Sequence, residues 1–131
     1  MLDIDEHVVD IACGALFTII LTSRGRVFGC GHQMVNSLDT SDNFLDKARF
    51  KNIVIDDAEI IITKISAGLS GAAVLTEKGF VFCWGKFGKK VDNLPKKVVR
   101  NSRSINDKPD EEKYISVCVG DEFILILSQK G

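Results

Sequence analysis

Ile11-Ala12-Cys13-Gly14 returns 54 residues later as Ile65-Ser66-Ala67-Gly68, and 52 residues after that as Val117-Cys118-Val119-Gly120. Eleven residues beyond the last glycine of each stretch stands another: Gly25, Gly79 and Gly131. A period slightly above 50 residues, with two glycines in fixed phase, is the mark of a repeat architecture. Each unit has the same grammar. An apolar run (His7 to Cys13, Ile61 to Ala67, Tyr114 to Val119) ends at a glycine, and a second follows (Phe17 to Leu21, Ala72 to Leu75, Phe123 to Leu127). A polar turn comes next, T-S-R-G, T-E-K-G or S-Q-K-G, and then a third run, Arg26 to Gly31 or Phe80 to Gly85.

Runs of five to seven residues rich in Val, Ile, Phe and Cys and bounded by glycine predict β-strands. Gly25, Gly79 and Gly131 are expected at hairpin turns that require positive φ. Gly14, Gly68 and Gly120 are expected where a side chain would crowd a neighbouring backbone. Phe50 to Ile55 is a candidate fourth strand of the first unit, and Lys96 to Arg100, after Pro95, takes that place in the second. Asp42 to Ala48 predicts a short helical turn, and Asn101 to Glu112 a polar loop.

The pattern resembles the regulator of chromosome condensation repeat family, a class of β-propellers. V-V-D-I-A-C-G, I-I-L-T-S-R-G-R-V-F-G-C-G and A-V-L-T-E-K-G-F-V-F-C-W-G stand in register with its grammar. Trp84-Gly85 keeps the family's tryptophan before the final glycine; Cys30-Gly31 does not. The resemblance implies an all-β fold of antiparallel four-stranded blades, about two and a half repeats of an incomplete propeller. The units are approximately 7–60, 61–113 and the incomplete 114–131, in one partial propeller domain. It implies that further blades come from a longer chain or an oligomer, the first being favoured. The family includes exchange factors for small GTPases and many scaffolds.

The composition excludes several classes. The 131 residues are 45% hydrophobic with a net charge of −1, which gives no global field toward nucleic acid or membrane. No apolar run approaches the roughly 20 residues of a spanning helix. The acidic start M-L-D-I-D-E predicts an intracellular protein, cytoplasmic or nuclear. Cys13, Cys30, Cys83 and Cys118 have no ligand spacing and are expected as buried, reduced thiols.

Candidate chemistry is sparse. Ser70 in S-A-G-L-S-G-A faintly resembles a nucleophile elbow, which needs a helix after the turn and a nearby histidine. The only histidines, His7 and His32, stand far apart in sequence. G-K-F-G-K-K at Gly85 to Lys90 lacks the frame of a phosphate loop. Asp56-Asp57 and Glu111-Glu112 read as solvated charge. No catalytic residue, metal or cofactor is assigned.

The informative charge feature is Lys86 to Arg103, where Lys86, Lys89, Lys90, Lys96, Lys97, Arg100 and Arg103 face the single acid Asp92. The first connector, Asp39 to Glu59, has six acids against Lys47, Arg49 and Lys51. A basic blade edge suits an acidic protein partner or DNA phosphates; the alternative is a lysine-guarded edge strand. The sequence therefore predicts a non-catalytic interaction scaffold, with a small GTPase or chromatin as candidate partner and no membrane.

Overall fold

The structure, a computed structural model, describes residues 2–31, 49–55, 59–98 and 113–131. Ten strands form three antiparallel sheets and no helix occurs among these residues. The first sheet runs in chain order through β1 (Val8–Cys13), β2 (Phe17–Thr22), β3 (Val27–Gly31) and β4 (Lys51–Asn52). The second repeats that order with β5 (Ile62–Ala67), β6 (Gly71–Thr76), β7 (Val81–Phe87) and β8 (Lys90–Lys97). The third pairs β9 (Tyr114–Val119) with β10 (Ile124–Ser128).

The units repeat in register as well as in order. Ile11 faces Ile20, Ile65 faces Val74, and Val117 faces Ile126 on equivalent rungs. A register shift recurs at the same end of each inner hairpin, at Val8/Asp10, Ile62/Lys64 and Leu127/Ser128. Such shifts twist and bend the strand.

The hairpin glycines have two separate reasons to lack a side chain. Gly25 and Gly79 adopt φ of 73° and 85°, a left-handed conformation that a Cβ disfavours. Their carbonyls also accept a hydrogen bond from the next sheet, Ile62 N–H to Gly25 at 3.0 Å and Tyr114 N–H to Gly79 at 2.9 Å. The turn that closes one hairpin thus anchors the following unit.

The sequence expectation for the other glycine set is met only in part. At Gly68 a Cβ would lie 2.1 Å from the carbonyl oxygen of Gly120 in the next sheet, which is backbone crowding. At Gly14 and Gly120 the space is instead filled by the rings of Phe17 and Phe123. The second unit has Gly71 where those phenylalanines stand, and the ring of Phe87 fills the space over it.

Two apolar layers lie between the sheets. Phe17, Ile19 and Leu21 of the first sheet meet Ala72, Val74, Phe82 and Trp84 of the second. Ala73, Leu75 and Val81, from the other face of the second sheet, meet Val117, Ile124 and Ile126 of the third. The middle sheet is therefore covered on both faces, and all six residues of β6 are buried. Its run G-A-A-V-L-T is continuously apolar or small, as a strand buried on both sides should be.

The fourth strand of the second unit departs from the sequence reading. It begins at Lys90 and already contains Pro95, whereas Pro95 was expected to precede it. Register shifts between Cys83 and Gly85, opposite Asp92 to Lys96, and this irregularity on an outer strand accommodates a residue with no N–H. The expected turn at Asp42 to Ala48 and loop at Asn101 to Glu112 lie outside the described residues.

The four cysteines are free and strand-borne as expected, but none is buried. Cys13 and Cys118 are exposed because each lies on an outer face of the stack, Cys13 beside Thr18 and Cys118 beside Leu125.

A candidate interaction hairpin on the middle sheet

The basic segment folds as the β7–β8 hairpin. Phe87 pairs with Lys90 across a two-residue turn whose first residue, Gly88, has φ of 58°. The ladder then sets Lys86 opposite Val91, Gly85 opposite Asp92, Cys83 opposite Lys96 and Phe82 opposite Lys97. Five of the seven sequence candidates are thereby brought onto one hairpin; Arg100 and Arg103 lie outside the described residues.

The five cations are not equivalent. Asp92, whose side chain is 11% exposed, receives Lys96 Nζ at 2.6 Å and Lys90 Nζ at 3.3 Å. The hydrogen bonds from Lys96 and then from Lys90 hold its carboxyl below the usual aspartate range, against the opposing effect of burial. Burial raises the nearby Cys83 thiol, and Asp92 adds to that. Lys97 places its ammonium 3.9 Å from the centroid of the Phe80 ring, a cation–π contact. Lys86 and Lys89 are exposed and make no ion pair among the described residues. Val91 and Leu94 expose apolar surface on the same hairpin.

At the other end of this sheet a cavity of about 210 Å³ is floored by Ile60, Ile61, Phe80 and Phe82 and rimmed by charged groups that include Glu77 and Lys97. One repeat earlier, the positions of Ile60 and Phe80 are Glu6 and Arg26. There the buried Glu6 carboxylate is gripped by the Arg26 guanidinium, with Nε at 2.8 Å, and accepts from the Thr22 hydroxyl at 2.5 Å. Arg24 and Asp3 pair alongside at 2.5 Å, and Arg26 lies 5.3 Å from the Phe28 centroid.

Arg26, followed by the Thr22 and Asp3 hydrogen bonds, holds Glu6 down to about 2, although burial opposes this. A depressed carboxylate stabilises the fold above its unfolded pKa and loses that effect as pH falls through the folded value. The difference in melting temperature between the protein and its Glu6→Gln variant should therefore be constant above about pH 5 and shrink toward pH 2. A pH-independent difference would contradict the ion pair. Sequence reading missed this pair, because Glu6 looked like one more acid in a charged leader.

The remaining motifs gain no chemistry from the fold. Ser70 lies in the turn between β5 and β6, its carbonyl accepting the Lys86 N–H at 2.8 Å, and a strand rather than a helix follows. His7 is exposed, with its backbone N–H donated to Ser23 Oγ at 3.2 Å. His32, Asp56, Asp57, Glu111 and Glu112 lie outside the described residues. Among the described residues no group of three or more His, Cys, Asp or Glu could hold a metal ion, and no helix is long and apolar enough to cross a membrane.

Residues 8–33 match the family model described as the regulator of chromosome condensation (RCC1) repeat. The regulator of chromosome condensation of Drosophila melanogaster is 32% identical over 125 residues, 94% of this chain and 22% of that protein. The crystal structure of human WBSCR16 superposes with a TM-score of 0.70 at 24% identity, over 93% of this chain and 31% of that one. Prp20p of Saccharomyces cerevisiae superposes with a TM-score of 0.70 at 16% identity, over 98% of this chain and 32% of that one. The chain thus spans between a fifth and a third of the length of these proteins.

Proposed function

Because the chain is built of divergent regulator of chromosome condensation repeats, we propose that it acts as a non-catalytic protein-interaction module whose contact surface is the β7–β8 hairpin. The observation that carries this reading is the uneven pairing of the hairpin's cations. Lys90 and Lys96 are committed to Asp92 and Lys97 to Phe80, whereas Lys86, opposite Val91, and Lys89 stand exposed on the hairpin that also exposes Val91 and Leu94. Uncompensated charge beside exposed apolar groups on a stiff hairpin suits an acidic protein surface with an apolar centre. Arg100 and Arg103 extend the same charge along the sequence.

A small GTPase is the first candidate partner. The solved Prp20p is described with its binding properties to Gsp1p and histones, and a mouse relative is named an RCC1-like G exchanging factor-like protein. Exchange would require no covalent chemistry from this chain, only tighter binding of the nucleotide-free GTPase than of the loaded one. An intracellular setting, nuclear or cytoplasmic, accords with such partners.

The test is calorimetric titration with a nucleotide-free GTPase of the Gsp1p kind, using the protein and its Lys86→Glu/Lys89→Glu variant. Binding is expected, weakened roughly tenfold or more by the reversal. No binding, or equal binding by the variant, would overturn the reading. The basic hairpin also favours a second reading, association with DNA through phosphate contacts. That would show duplex affinity falling steeply as salt rises, which the protein-partner reading does not require.

A further inference from the structure

Where the first unit holds an ion pair, the middle unit holds a hollow. Glu6 is buried, gripped by Arg26 and bonded by the Thr22 hydroxyl. In the second unit Ile60 and Phe80 take the positions of Glu6 and Arg26, while Thr76 keeps that of Thr22. The backbone turn is the same in both: Thr22 Oγ1 accepts the Arg26 N–H at 3.2 Å, and Thr76 Oγ1 the Phe80 N–H at 3.0 Å. Only the side chains differ, and Ile60 offers the Thr76 hydroxyl no carboxylate. These positions, with Ile61 and Phe82, line a cavity of about 210 Å³. The middle unit has a neighbouring sheet on each face, so the cavity belongs to the unit's own side chains.

Apolar walls that face a hollow forfeit dispersion contacts, and an apolar guest restores them. An apolar cavity of about 150 Å³ takes up benzene, so this one has room for a single ring. Phe80 and Phe82 offer that ring edge-to-face or offset contact. The charged rim is polarised across the sheet. Glu59 precedes β5, and Glu77 is tied to the same side, its N–H donated to the Ile61 carbonyl at 2.9 Å. Lys97 stands on β8 at the opposite edge of the sheet, its ammonium 3.9 Å from the Phe80 centroid. Lys78 lies between them in the β6–β7 turn. Among the described residues none of these four charges makes an ion pair. The formal charges of the rim cancel, so it favours neither a plain anion nor a plain cation but a guest that carries both.

We propose that this cavity takes the aromatic side chain of a protein partner, from a segment with a basic residue on one side of the ring and an acidic residue on the other. The basic residue lies toward Glu59 and Glu77, and the acidic one toward Lys97. The ring is the buried anchor, and the flanking charges set its direction. This goes beyond the hairpin reading, because the cavity lies at the other end of the sheet from Lys86 and Lys89. Failure here leaves that reading standing, and the converse also holds.

The test is a titration of the whole chain, followed by amide NMR, with end-capped Gly-Lys-Phe-Asp-Gly and its reverse at up to millimolar concentration. At least one of the two is expected to shift the amides of Ile60, Ile61, Glu77 and Phe80. The same peptide with alanine for phenylalanine should shift none of them. Lys97→Glu changes an exposed rim residue and leaves the floor intact. It should weaken binding about fivefold, as reversal of one exposed charge pair does, and should favour Gly-Lys-Phe-Lys-Gly instead. Ile60→Glu/Phe80→Arg rebuilds the first unit's ion pair in the second and should abolish binding while the melting transition is kept. The Lys86→Glu/Lys89→Glu variant should bind the peptide as the parent does. No shift at the cavity, equal shifts from the alanine peptide, or a Lys97→Glu variant with unchanged preference would each overturn the proposal.

Discussion

Replacing Trp84 by alanine is expected to cost about 3–5 kcal/mol of stability, the range for removing a large aromatic from a packed interior. Trp84 is 1% exposed and lies in the layer between the first and second sheets, on the rung facing Ala72. A small residue across the rung leaves the indole space that no other side chain can fill, so its loss opens a cavity rather than a collapse. The indole Nε1 has no hydrogen-bond partner among the described residues. Its removal therefore orphans no acceptor, and Trp84→Phe should cost much less than Trp84→Ala. Urea unfolding of the three proteins checks both statements; equal losses for phenylalanine and alanine would contradict the packing argument.

Gly68→Ala is the second large effect, about 1–3 kcal/mol, as for overpacking in a tight interior. The added Cβ would stand 2.1 Å from the Gly120 carbonyl oxygen and 2.8 Å from Val119 Cγ1. The oxygen belongs to backbone and cannot rotate away, so the third sheet must move off the second. Tyr114 is the chain's only tyrosine and starts β9, so its emission reads that displacement apart from Trp84. The variant should release the third sheet before the first two unfold. A variant as stable as the parent, with one coincident transition, would contradict the close junction.

How much of this was legible in the sequence follows from what each residue's role depends on. The strands and hairpin turns were readable because they rest on local chemistry: alternating or continuous apolar runs, and glycine where φ is positive. The repeat made the reading firm, since three copies in phase placed Gly14, Gly68 and Gly120 on equivalent rungs. What escaped depends on the layer between sheets. Gly14 and Gly120 make room for the rings of Phe17 and Phe123, and three residues of separation do not announce that contact. Pro95 read as a strand boundary because proline interrupts a ladder, yet an irregular outer strand absorbs it.

Burial of the cysteines was misjudged for the same reason. Cys13 and Cys118 occupy positions that are half-buried inside the stack, as at Ala67 and Ser66, and exposed at its two outer faces. A pattern within one strand cannot report whether a neighbouring sheet lies over it. At the candidate site the sequence showed the excess of positive charge on Lys86 to Arg103, but not its division. That Asp92 holds two of the lysines and the Phe80 ring a third follows from the register of β7 on β8.

The central claim is a stack in which the middle sheet is held from both sides. Residue-resolved amide hydrogen exchange tests it most directly. The account predicts slowest exchange along β6, where all six residues are buried between the outer sheets, and much faster exchange along β1 and β10. Exchange along β6 as fast as along β1 would contradict it.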